Sequence, residues 1–212
     1  MKNIVILISG RGSNLRAILE AVKNRGWDAH VAMVICNRPD VAGLQIAQSY
    51  GIPTQVLRHD AHSGRSAFDA KLMESIDSCQ PDLVILAGFM RLLTDDFVEH
   101  YDGKLLNIHP SLLPSFPGLN THAQALAKGV KWHGATVHFV SKDMDQGPII
   151  AQGVVPVLPD DTPDRLSQRV LEIEHLIYVA AIEWFLEGRI RLENGIVSLV
   201  PPAQQFFANF DK

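Results

Sequence analysis

From Asn3 to about Val140, short apolar runs rich in β-branched residues alternate with stretches in which apolar residues return every three or four positions. The first kind of run suits a strand buried on both faces and the second an amphipathic helix. Their alternation predicts a mostly parallel sheet with crossover helices. The predicted strands are Ile4–Ile8, His30–Ile35, Thr54–Leu57, Leu83–Leu86, Lys104–Ile108 and Thr136–Val140. Leu15, Ile18, Leu19 and Val22 mark a helix between the first two, and similar stripes run through Leu44–Gln48, Ser66–Ile76 and Thr94–His100.

Beyond Val140 the pattern changes. The run PIIAQGVVPV, from Pro148, predicts one more strand, and a long helix follows, with Thr162 as its cap, Pro163 in its first turn and Gly188 at its stop. Leu166, Val170, Ile173, Ile177, Ala180 and Trp184 form the apolar stripe of that helix, with Glu174 at the border of the stripe. Asn194-Gly195 between two alternating runs predicts a hairpin, because both turn positions need positive φ. From Pro201 the chain reads as a loose tail. The expected fold is α/β: a Rossmann-like, mostly parallel twisted sheet with helices on both faces, then a C-terminal long helix and hairpin. All 212 residues are expected to form a single domain, with hairpin and tail over about 190–212.

Composition narrows the function classes. Hydrophobic residues at 47% and charged residues at 20% are ordinary for a globular chain, and a formal charge of −4 supplies no basic field for nucleic acid or an anionic membrane. Any bound phosphate must therefore be held locally. Cys36 and Cys79 lack C-x-x-C spacing, which suits a reduced, cytoplasmic protein. The apolar run in MKNIVILISG is too short to span a bilayer and has no cleavage site, so it reads as the first strand.

Four stretches carry candidate chemistry. In ISGRGSNL, Gly10 and Gly12 permit a tight strand-to-helix turn, where backbone N–H groups, Ser13 and Asn14 can hold a phosphate monoester. It lacks the Gly-Lys-Ser/Thr ending of a Walker loop and has Leu15 at the third glycine position of a dinucleotide fingerprint. A plain turn with a serine cap fits equally. In LAGFMRLL, the residues Met90, Arg91, Leu92 and Leu93 leave a strand where open α/β sheets bind ligands, although they also suit a buried sheet edge. In NIHPSLLPSFPG, Asn107 and His109 share one side of a strand. Pro110, Pro114 and Pro117 then stiffen the chain after the imidazole, and Leu113-Pro114 can be cis or trans. In SKDMDQGPII, Asp143 or Asp145 beside His109 would favour its cationic form and fix its orientation. The nine histidines, His59, His62, His122, His133 and His138 among them, show no metal-ligand pattern, so no metal site is expected.

Together ISGRGSNL, LAGFMRLL, LLNIHPSLLPSFPG and MDQGPII, in this order, resemble the 10-formyltetrahydrofolate-dependent formyltransferases over about Asn3 to Gly188. The resemblance implies formyl transfer from 10-formyltetrahydrofolate, as co-substrate and without a metal, to the amine of 5-phosphoribosylglycinamide in de novo purine biosynthesis. It implies that Gly12, Ser13, Asn14 and Glu174 bind the phosphorylated amine. The folate would meet Arg65, Met90, Arg91, Leu92, Leu93 and Asn107, with Ser141, Lys142, Asp143, Met144 and Asp145 around the pterin. Asn107, His109 and Asp145 would be the catalytic trio, converging on one point. The chain is expected to lack the extra domains of the tRNA-directed and hydrolytic relatives, and to be a monomer or weak homodimer. Asn120 and Gln146 depart from the family pattern, where histidine and glycine are frequent. The competing readings are a 10-formyltetrahydrofolate hydrolase and a non-catalytic phosphate- or nucleotide-binding module.

Overall fold

The computed structural model describes residues 1–209, and they fall into two compact units, 1–107 and 108–209. In the first unit the strands are β1 (Lys2–Ile8), β2 (Ala29–Cys36), β3 (Thr54–Val56), β4 (Leu83–Leu86) and the start of β5 (Leu105–His109). They lie in the order β5-β4-β1-β2-β3, all parallel. β1 is central, and its residues Ile4 to Ile8 are completely buried, which is why the run is apolar without alternation.

The helices of this unit are α1 (Ser13–Asn24), α2 (Ala42–Ser49), α3 (Arg65–Asp77) and α4 (Asp95–His100). Right-handed crossovers from β1 through β3 run in one direction along the sheet, and those from β3 through β5 return in the other. α1 and α2 therefore cover one face and α3 and α4 the other. The packing agrees, since α1 touches α2 and α3 touches α4. The strand order reverses between β1 and β4, the point at which open α/β sheets bind their ligands.

The second unit holds α5 (Thr121–Lys128), β6 (Trp132–Phe139), β7 (Ile149–Pro156), α6 (Pro163–Leu186), β8 (Ile190–Glu193), β9 (Ile196–Leu199) and β10 (Phe206–Ala208). β6 and β7 are antiparallel, and α6 packs on both. Thr162 Oγ1 accepts from Arg165 N at 3.3 Å, Pro163 opens the helix and Gly188 at φ 67° follows its end. Leu166, Val170, Ile173, Ile177 and Trp184 are buried as the stripe predicts, while Ala180 is half-buried and Ala181 takes its place inside. Asn194 and Gly195 turn the β8–β9 hairpin at φ 51° and 77°.

Three expectations need correction. The segment after Pro201 is not simply a loose tail: Phe206–Ala208 pairs in parallel with β7, and the ring of Phe207 stacks on Trp184 at 6.3 Å. Gln205 Nε2 also donates to Ile150 O at 2.8 Å, so long-range contacts that local composition does not announce fix this segment. The rest of the expected tail, 210–212, lies outside the described residues. α5 had no counterpart in the sequence reading, its apolar spacing being weak over eight residues. β6 starts four residues ahead of the predicted Thr136, because cross-strand pairing with β7 extends to Trp132.

Candidate active site

The end of β1 leads through Ser9, Gly10 and Arg11 to Gly12, which at φ 77° caps α1. The left-handed φ asks for glycine here, and so does space: a Cβ at Gly12 would stand 2.7 Å from the Gly43 Cα at the start of α2. Gly43 N donates to Gly10 O at 3.0 Å, so α2 braces the turn from behind. Ser13 opens the helix without a side-chain cap bond, and Asn14 is buried at 8% exposure. The adjacent strand end, after β4, carries Met90 and Leu92 with 63% and 58% of their surface exposed. Met90 N donates to Ser9 Oγ at 2.8 Å, which joins the β4 loop to the β1 turn at the switch point. The anticipated burial of Met90 and Leu92 as a sheet edge is thereby excluded. Arg65 is exposed at the first residue of α3.

In the second unit, His109 ends β5 and is 6% exposed. Its Nδ1 lies 3.4 Å from Asp145 Oδ2, and its Nε2 lies 3.0 Å from Phe116 O. A carbonyl oxygen only accepts, so Nε2 carries a proton. The Asp145 carboxyl faces the other ring nitrogen, Nδ1, and helps fix the plane of the ring. Asp145 is itself fixed, because its Oδ2 accepts from Gly118 N at 2.8 Å. Of the two carboxylates the turn offered, Asp145 is therefore the partner, while the Asp143 carbonyl accepts from Ser141 Oγ at 2.9 Å and from Gln146 N at 3.3 Å.

The prolines do what their positions suggest. Leu113-Pro114 is cis, and Phe116 and Gly118 take φ of 55° and 80°, folding the segment back so that one carbonyl and one N–H face His109 and Asp145. Those two backbone partners were missed from the sequence, although Pro117-Gly118 is a turn signal. Asn120 also sits in the left-handed region, at φ 58°, which asparagine tolerates, and its carbonyl accepts from Gln124 N at 3.0 Å. Its departure from the family pattern thus falls on a helix start.

Other histidines surround the pair. The rings of His122 and His133 meet edge-on at 5.3 Å, and His133 also meets Phe116 at 5.9 Å. Burial first, then the charges of His122 and His109, pushes His133 down to about 4. Burial and His109 also push His122 down, and burial lowers His138. The unit thus keeps its buried histidines neutral around one that has a carboxylate. Among the described residues no cluster of His, Cys, Asp or Glu has the arrangement of a metal site. Glu174, expected at the border of the α6 stripe, is buried at 8% exposure, since packing on β6 and β7 widens the covered face of the helix.

A buried imidazole–carboxylate pair beside a strand end is equipment for group transfer, and in the other unit a glycine turn at the switch point is where α/β sheets bind ligands. The profile of the Formyl transferase family matches residues 2–182, and the chain belongs to that family. It is 50% identical over 190 residues to the phosphoribosylglycinamide formyltransferase of Escherichia coli (strain K12), covering 90% of each chain. It is 41% identical over 199 residues to the protein of the same name from Haemophilus influenzae, covering 94% of each. Among solved structures it resembles glycinamide ribonucleotide transformylase 1 from Symbiobacterium toebii, with a TM-score of 0.91, 46% identity and 94% of both chains covered.

Proposed function

We propose that the protein transfers the formyl group of 10-formyltetrahydrofolate to the amine of 5-phosphoribosylglycinamide, giving formyl-glycinamide ribonucleotide and tetrahydrofolate. The observation that carries the catalytic reading is the His109–Asp145 pair, with an acceptor at each ring nitrogen. The neutral amine attacks the formyl carbon, a C–N bond forms, and the carbonyl electron pair moves onto oxygen. His109 hydrogen-bonds that oxyanion once its Nε2–H exchanges the Phe116 carbonyl for it, and the Asn107 amide, two residues earlier on the same strand, donates another. Asp145 keeps the imidazolium oriented. When the oxyanion collapses, the bond to N10 breaks and N10 takes up a proton that the attacking amine has released, relayed by water.

In this reading Gly12, Ser13 and Asn14 hold the phosphate at the start of α1, and Glu174 contacts the ribose or glycinamide end. Arg65, Met90, Arg91, Leu92 and Leu93 meet the folate, as do Asn107 and the segment Ser141, Lys142, Asp143, Met144 and Asp145. The exposed apolar side chains of Met90, Leu92 and Met144 suit a flat aromatic ligand. The two units act as one formyltransferase domain in the cytoplasm, as a monomer or weak homodimer. The family match, which runs through both units, supports the single domain. No helix of the described residues is long and apolar enough to cross a membrane.

The decisive assay mixes protein, 10-formyltetrahydrofolate and the glycinamide substrate, then omits the amine. Conversion of the folate only when the amine is present is the expected result. Equal loss of formyl in both mixtures would identify a hydrolase, and no loss in either would leave a binding module.

A further inference from the structure

The loop after β4 is held at both ends by buried polar side chains that take no part in the chemistry above. At its start, Met90 N donates to Ser9 Oγ at 2.8 Å, and Ser9 Oγ donates in turn to Asn37 Oδ1 at 2.6 Å. Asn37 is itself in contact with His59, whose Nδ1 is 3.1 Å from Asn37 O. At the loop's end, Thr94 N donates to Asp69 Oδ2 at 2.6 Å, just where Thr94 caps α4. Ser9, Asn37 and Asp69 are 4%, 2% and 1% exposed, whereas Met90 and Leu92 between the two anchors stand largely in solvent. Asp69 Oδ1 has no hydrogen-bond partner.

We propose that Ser9, Asn37 and Asp69 are positioning residues that set the shape of the Met90–Thr94 loop for the folate co-substrate. The inference rests on the reading above that this loop meets the folate. A loop with exposed apolar side chains has few contacts of its own to fix it. Two buried anchors fix its backbone before the ligand arrives, so less ordering is required on binding. Ser9 also precedes the Gly10–Gly12 turn, yet its hydroxyl is turned toward Met90 and Asn37. Its loss should therefore be felt at the folate and not at the phosphate.

The test is initial-rate kinetics with both substrates varied, on wild type, Ser9→Ala, Asp69→Ala and Asp69→Asn. Ser9→Ala and Asp69→Ala should each raise KM for 10-formyltetrahydrofolate about tenfold, the effect of one lost hydrogen bond to a defined partner. KM for the glycinamide substrate and kcat should stay within about twofold of wild type. Asp69→Asn retains an oxygen for Thr94 N and should restore most of the folate KM. A folate KM equal to wild type in both alanine variants overturns the proposal, as does a parallel rise of both KM values. Failure of the wild-type protein to transfer formyl at all would overturn the functional reading itself, a separate result. If the alanine variants do not fold, amide exchange in the unsubstituted protein decides. Met90 and Thr94 N–H should exchange at least a hundredfold more slowly than in an unstructured peptide, and exchange at the free rate overturns the proposal.

Discussion

At the scale of single residues, His109 stands out for its neighbours. Both of its ring nitrogens meet acceptors, one of them a carboxylate oxygen that Gly118 N also holds. Replacing His109 by Ala should lower kcat by about 10²–10⁴, a loss much larger than the modest fall in melting temperature expected from removing a buried, partnered ring. Asp145→Asn keeps the shape and the bond from Gly118 N but removes the charge. A fall in kcat of about a hundredfold, with both KM values near wild type, would mark Asp145 as the group that orients the ring. Unchanged kinetics in either variant would remove these residues from the mechanism. Strand parity and the following prolines single out His109 and Asn107 in the sequence, and the structure gives His109 its carboxylate neighbour. From spacing alone the carboxylate was a choice between Asp143 and Asp145, since a turn does not reveal which side chain points inward, and the family resemblance named Asp145. The backbone partners Phe116 O and Gly118 N follow from positive φ values, which no periodicity encodes.

At the scale of elements, the loop between β6 and β7 carries Asp145, and its geometry depends on the close approach at Gly147. A Cβ there would stand 1.8 Å from Phe139 O, so the two strands could not pair as they do. Gly147→Ala should cost several kcal/mol or reposition the loop, and should reduce turnover together with thermal stability, as measured by activity and by calorimetry on the same preparation. β1 and β4 were readable because burial on both faces leaves an unbroken apolar run. The long helix was readable because cap, proline and stop all agree on its limits. α5 and β10 were not. Each is short, and each is held by contacts distant in sequence, of which the stacking of Phe207 on Trp184 is the plainest.

At the scale of the whole molecule, two buried ionisable groups shape stability against pH. His133 is held at about 4, below the ordinary 6.5. Between those values the unfolded chain binds a proton that the folded chain refuses, so stability is full above about 6.5 and is lost as pH falls toward 4. The shift corresponds to something on the order of 3 kcal/mol. Urea unfolding at pH 5 and pH 7 should show the difference, and His133→Leu should shrink it. Asp161 acts at lower pH. Its side chain is 1% exposed and receives two bonds from Arg169, at 2.8 and 3.0 Å, which hold its carboxyl below the usual range. Its contribution is present above about pH 4 and is lost as pH falls through the lowered value. Arg169→Ala should reduce the melting temperature at pH 7 by about 5 °C and by much less at pH 3.

The short strand β10 has a consequence of another kind. β7 pairs with β6 along one side, and on the other its Gln152, Gly153 and Val154 pair with Phe206, Phe207 and Ala208, with Gln205 O and Asn209 N adding bonds at either end. Those three residues act as a cover over a seam of backbone donors and acceptors. Without them the seam would be open to any extended chain that drifted against it. Removing the chain after Pro202 should therefore change how molecules behave toward one another: light scattering should rise with concentration and temperature well before the helices melt.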